Sequence, residues 1–224
     1  MRYAVPIVVL VGLAALLIIS PYLEPRRRRA RALKVTEDLR AKHGFREGSK
    51  AAWAEVRSTD WPPFHYGTHQ SIDNELVGTL HDLPIRIAGY EVVTNGSRHR
   101  YGLAVVVLPR PMEWMEVRGE RPFSAARVPD HLPDGKLSES GIREFDANWT
   151  AYADTQLGVM TAGSRRTAET MITVPTPLSW RTYNSELLLW KRDGWDSATQ
   201  LITSLSIVMN LLELAELGVP EPGY

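Results

Sequence analysis

Cysteine is missing altogether from this 224-residue chain. That removes disulfides, thiolate metal sites, iron–sulfur ligation and cysteine nucleophiles. Net charge is missing as well, since 26 basic groups balance 26 acidic ones. Neither GxGxxG nor GxSxG occurs, so the usual dinucleotide turn and the hydrolase elbow are both absent. Gly44–Lys50, GFREGSK, has the composition of a phosphate loop, but its spacing is wrong, its Ser precedes its Lys and no strand leads into it. His65 and His69 stand four apart, yet Pro62, Pro63 and Gly67 break any helix that would bring them to one face. No glutamate completes a HExxH arrangement, and a loop role fits them better than metal ligation. Neither a metal site nor a cofactor is expected.

The longest absence is local. Residues 3–23, YAVPIVVLVGLAALLIISPYL, carry no charge over 21 positions. As a helix this run is about 30 Å long, the thickness of a bilayer's hydrocarbon core. Tyr3 and Tyr22 mark its ends, where amphipathic rings favour the headgroup level. A cleaved signal peptide would need a more basic start, a shorter apolar run and a small-residue cleavage site in place of Ser20-Pro21-Tyr22. The run reads as an uncleaved, single-pass signal anchor. Arg26, Arg27, Arg28, Arg29, Arg31 and Lys34 follow it, against one acid, Glu24. The basic flank stays in the cytoplasm under the positive-inside rule, so the C-terminal bulk is expected to be cytoplasmic at the cell membrane. The same six basic residues suit a membrane surface with anionic lipid headgroups, worth about 1 kcal/mol each near the surface.

Beyond residue 34 the chain holds 19 basic and 25 acidic groups, a net of −6. A domain of that sign is a poor nucleic-acid binder. The expected division is a transmembrane anchor over 1–25, a basic juxtamembrane segment and helical linker over 26–57, and a soluble α+β domain over 58–224.

Leu33, Val35, Leu39 and Ala41 give a weak helical stripe, interrupted by Gly44 and Gly48. Residues 58–75 read as irregular around Pro62-Pro63, and 118–137 as a second long irregular stretch. Between them the period changes to two. Leu76–His81, Ile85–Thr94, Arg98–Leu108 and Met112–Val117 read as strands, the middle pair joined at Asn95-Gly96. A two-residue loop there sets Glu91 opposite Arg100 and Tyr90 opposite Tyr101.

Residues 145–154, FDANWTAYAD, alternate like a half-buried strand. Asp154 is its expected exit into a helix carrying Leu157, Met160, Ser164, Ala168, Met171 and Ile172 on one side. Leu178–Tyr183 and Glu186–Arg192 read as a second hairpin turning at Asn184-Ser185. A strong final helix over about 196–217 is capped by Asp196 or Ser197, with Leu201, Leu205, Val208 and Leu212 in its stripe.

Of the seven tryptophans, Trp149, Trp180 and Trp190 fall on strands and suit core packing better than ligand stacking. The one site that composition offers is a cleft for a ligand or partner between the two irregular stretches, lined by Trp61, Phe64, His65, Phe123 and His131.

Taken together, several stretches resemble a family of uncharacterised single-pass membrane proteins of high-GC Gram-positive bacteria. They are the apolar N-terminus with its arginines, Pro62-Pro63-Phe64-His65-Tyr66-Gly67, Leu76-Val77-Gly78, AVVVLPRPMEWMEV, FDANWTAYAD and WRTYNSELLLW. The resemblance implies no assigned activity and no catalytic residues. The expected fold is α+β: antiparallel hairpins in a twisted sheet or partly closed barrel, with the C-terminal helix packed on it. The expected function is a membrane-tethered, non-enzymatic module that binds a small ligand or an unidentified membrane or cytoplasmic protein. The alternatives are a membrane-anchored hydrolase with its site in the 58–75 and 118–137 loops, and a structural subunit that self-associates through the last helix.

Overall fold

A computed structural model describes residues 26–49, 53, 64, 68–94, 96–119, 136–138, 140–174 and 177–216. The expected membrane segment lies outside them, and no described helix is long and apolar enough to cross a membrane. The first described element is helix α1, residues 26–43. It stops where Gly44 takes φ +69°, a conformation that costs glycine little.

Seven antiparallel strands follow: β1 (Arg46–Glu47), β2 (Thr68–Leu80), β3 (Leu83–Thr94), β4 (Ser97–Arg118), β5 (Lys136–Ser138), β6 (Thr150–Ala153) and β7 (Ser179–Arg192). Their order is β1-β2-β3-β4-β6-β5, with β7 on the other side of β4. Four further helices complete the chain: α2 (Arg143–Asn148), α3 (Gln156–Ala162), α4 (Arg165–Ile172) and α5 (Ala198–Glu216). The α+β class is as expected, but the sheet is open: among the described strands no pairing closes it into a barrel.

β4 organises the sheet. One edge pairs with β3 through Ile85↔Val106 and then with β6 from Met115↔Ala153. The other edge pairs with β7 from Tyr101↔Arg192 to Val117↔Trp180. Two expected strands, Arg98–Leu108 and Met112–Val117, are therefore one. The register with β7 shifts between Val107 and Met112, where Pro109 and Pro111 have no N–H to donate.

The second expected hairpin is likewise a single strand. A tight two-residue turn of type I′ needs positive φ at both central residues. Asn184 has it, at φ +52°, but Ser185 does not, so β7 is deflected and continues. The first hairpin matches its expected register, with Glu91↔Arg100 and Tyr90↔Tyr101 opposed.

The sheet is covered on both faces. On one, Ile85, Ile87, Ala104, Val106, Leu187 and Leu189 pack in a cluster with Val35 and Leu39 of α1 and Leu201 and Leu205 of α5. On the other, Tyr90, Tyr101, Leu103, Leu188 and Trp190 pack with Trp53 and Phe64. The unbroken run Leu187–Trp190 follows from this, since β7 is buried on both sides. Gly102 has no Cβ because Trp195 lies on it; a Cβ there would stand 2.5 Å from the indole.

Further expectations change. The strand around Leu76 begins at Thr68, inside the stretch that reads as irregular. Residues 143–148 are helix, and only Thr150–Ala153 is strand. Ser140 pins that helical turn by donating to Asp146 Oδ1 at 2.8 Å, and Phe145 stacks on Trp149 at 5.6 Å. The helix after β6 is capped by Thr155, not Asp154, and breaks at Gly163, where Ser164 caps α4. In α3 the buried residues are Gly158 and Ala162, while Leu157 and Met160 are each 64% exposed. Leu33 of α1 is exposed too. In the final helix the stripe is as expected, and Ser197 is the cap, accepting from Gln200 N–H at 3.0 Å.

Trp180→Ala is expected to cost about 3–5 kcal/mol, because it empties a fully buried site. Leu157→Ala should change stability by less than about 0.5 kcal/mol. Equilibrium urea unfolding of the two variants separates the buried anchor from the exposed leucine.

Candidate functional site

Of the five residues of the expected cleft, only Phe64 is described; Trp61, His65, Phe123 and His131 lie outside the described residues. Phe64 is buried and sits edge-on to Tyr90 at 5.1 Å. Its carbonyl accepts from Gln70 Nε2 at 2.7 Å. Phe64 thus acts as a wedge that seals one sheet face. His69 is described and exposed at the start of β2. Among the described residues no three metal-ligating side chains come together.

The basic segment has a definite place. α1 turns Arg28, Arg31, Val35 and Leu39 to the domain at helical spacing. Val35 and Leu39 are buried, Arg28 pairs with Asp193, and Arg31 pairs with Asp196 at 2.8 Å. Arg26, Arg27, Arg29 and Lys34 stay exposed. At the helix's far end Arg40 reaches Glu47 of β1 at 2.7 Å.

From Arg28 at the end of β7 to Arg40 at β1 is twelve residues, about 18 Å of helix. The four intervening strand spacings come to about 19 Å. The helix therefore spans the sheet obliquely from β7 to β1: Asp193 lies level with Arg100 of β4, whereas Glu47 lies, through Leu76 and Ile87, level with Ala104. Asp196 also accepts from Lys191 at 3.1 Å. Burial pushes its carboxyl up, but the hydrogen bond and charge of Lys191, with Gln200 and Arg31, hold it below the ordinary value of 3.8.

A second group of charges is sealed inside. Glu116 and Arg118 of β4 are 0% and 2% exposed, and Arg181 of β7 is 5% exposed. Glu116 lies opposite Arg181 on one side and Tyr152 on the other. Arg118 Nε donates to Glu116, and its guanidinium lies 4.7 Å from the centre of the Tyr152 ring. Burial lowers Arg181 to about 10, against the pull of Glu116. Burial likewise raises the Tyr152 phenol, with Arg118 acting the other way. Such a cluster orients strands; it is shut off from any substrate in solution. Its sequence signal is the alternation of Glu116 and Arg118 along a strand that is otherwise apolar.

The open surface of most interest flanks the kink in β4. Pro111, Met112 and Met115 form a groove of about 190 Å³ with Leu157, Gly158 and Thr161 of α3. Thr155, which caps α3, donates its hydroxyl to the Glu113 carboxylate beside it. Across Met112 a second groove, about 130 Å³, is walled by Leu83, Leu108, Met209 and Leu212. Methionine-lined apolar grooves beside exposed Leu157 and Met160 suit contact with another protein.

Two outcomes test these charges. Glu116→Leu leaves two buried guanidiniums without that carboxylate and should cost about 3–5 kcal/mol in thermal or urea unfolding. Asp196→Asn should lower stability at neutral pH by up to about 1 kcal/mol, since the pairs are partly exposed. A carboxylate with a depressed folded pKa stabilises above its unfolded value and loses that contribution as pH falls through the folded one. The wild-type advantage over Asp196→Asn should therefore vanish as pH drops below 3.8.

No protein-family model matches the chain, and no curated protein matches it. Among solved structures, the crystal structure of the mycobacterial trehalose monomycolate transport factor A is similar in fold. The TM-score is 0.55 at 13% identity, over 89% of this chain and 98% of that one. The neighbour comes from the high-GC Gram-positive bacteria, the group to which the resembled family belongs.

Proposed function

We propose that this chain is a membrane-tethered, non-enzymatic module that engages a protein partner at the inner surface of the cell membrane. The observation that carries the reading is the docking of α1. The helix that follows the 21-residue uncharged run is latched to the sheet by two ion pairs and two buried side chains. A tether built into the domain confines it to two dimensions, where modest affinity suffices. The fold likeness to a transport factor supports an accessory role in transport.

The grooves beside Met112, with exposed Leu157 and Met160, are the described surface best suited to that partner. The self-association alternative has less support along the described part of α5, where Leu201, Leu205, Val208, Leu211 and Leu212 pack within the chain. The hydrolase alternative rests largely on residues outside those described.

A fusion at Tyr224 is expected to give fluorescent green protein and inactive alkaline phosphatase; an active phosphatase overturns the inner-surface assignment. With a photocrosslinking residue at Leu157 in native membranes, discrete adducts are expected that a crosslinker at exposed Thr79 does not give. Identical patterns at the two positions would remove the groove from the reading.

A further inference from the structure

The ion pairs that hold α1 also fix which part of the domain stands nearest the bilayer. Arg28 meets Asp193 and Arg31 meets Asp196, so the start of the helix lies at the corner between β7 and α5. Asp193 N–H donates to Arg100 O at 2.8 Å, which ties this corner to β4 as well. The acids of the corner already have basic partners: Asp193 has Arg28, and Asp196 has Arg31 and Lys191. Arg26, Arg27 and Arg29, all exposed, are positive charge in excess of them. Further along the helix the basic excess ends: Glu37 and Asp38 are balanced by Arg40 and Lys42, and Lys42 pairs with Asp38 at 2.9 Å. A helix lying flat on an anionic surface would gain no attraction from that balanced half, whereas one that leads away presents its basic start alone.

We propose that α1 rises from the membrane with the β7–α5 corner seated on anionic headgroups. β7 is then the nearest strand and β1 the farthest, because α1 crosses from one to the other. This rests on the reading of residues 3–23 as a membrane anchor. Arg26 follows Leu23 by three positions. That places the basic turn within about 8 Å of the headgroups, one Debye length at physiological salt. Contact with a lipid surface of that sign adds about 1 kcal/mol per basic residue. A flexible tether would leave the domain free to turn any face to the lipid.

The cysteine-free chain makes the test direct. Thr199→Cys, in the exposed first turn of α5, and Arg46→Cys, on exposed β1, each take a nitroxide label. The full-length protein goes into nanodiscs containing phosphatidylglycerol and a lipid with a nickel-chelating headgroup. Co-elution with the discs is read first; failure to incorporate overturns the anchor reading and this pose with it. For incorporated protein, relaxation enhancement is expected to be several-fold larger at position 199 than at 46. Equal enhancement overturns the pose alone. Adding Asp193→Asn and Asp196→Asn should narrow the difference; an unchanged difference overturns the role of the latch. The same asymmetry in zwitterionic discs would remove the headgroup contact from the proposal.

Discussion

Everything in this fold depends on β4 keeping two partners at once. A 22-residue strand cannot stay flat, because strands twist and their edges diverge. The register shift around Pro109 and Pro111 relieves this. Before the shift, β4 belongs to the hairpin with β3; after it, the strand feeds β6 and the helices beyond. β7 holds the two halves together by pairing on both sides of the shift. The shift also changes which residues face which side. Ala104 and Val106 precede it on the helix-covered face, and Met115 and Val117 follow on that same face. Glu116 and Arg118 are left on the other, where Arg181 and Tyr152 meet them.

The two sets of charges do different work. At the α1 latch the pairs are partly exposed and worth at most about 1 kcal/mol each. Val35 and Leu39, each worth about 1.5–3 kcal/mol on burial, supply most of the attachment, and the ion pairs fix its direction and position along the sheet. Inside, Glu116 and its arginines contribute little net stability for the cost of desolvating them. They do penalise any slip of β7 against β4, since a one-residue shift would turn Arg181 to the opposite face.

What could be read from the residues alone was what local chemistry decides. The hairpin of β3 and β4 is legible because the Asn95-Gly96 sequence and the cross-strand pairs call for the same register. Ser197 and the stripe through Leu212 set the final helix for the same reason. Errors arose where a local signal had two outlets. Asn184-Ser185 resembles a turn, and only the presence of β4 alongside shows that the strand goes on. FDAN fits strand alternation, but Phe145 and Trp149 are also one helical turn apart, and the Ser140–Asp146 bond decides for helix. Leu157 and Met160 sit at helical spacing, yet the short helix turns Gly158 and Ala162 inward, because close approach to the sheet leaves room only for small residues. The site was the least legible part. The cleft drawn from composition has one described member, and that member is core. The buried carboxylate and the α1 latch both depend on residues more than sixty positions apart.

The stretch of β4 between its pairings with β3 and with β6, residues 107–114, has no described strand beside it on that edge. Bare strand edge is a template on which a stray chain can add itself and begin an aggregate. Pro109 and Pro111 fall inside this gap, and the register shift around them bends the backbone out of line for such a chain. The same two prolines that let one strand serve both halves of the sheet thus guard the opening they create.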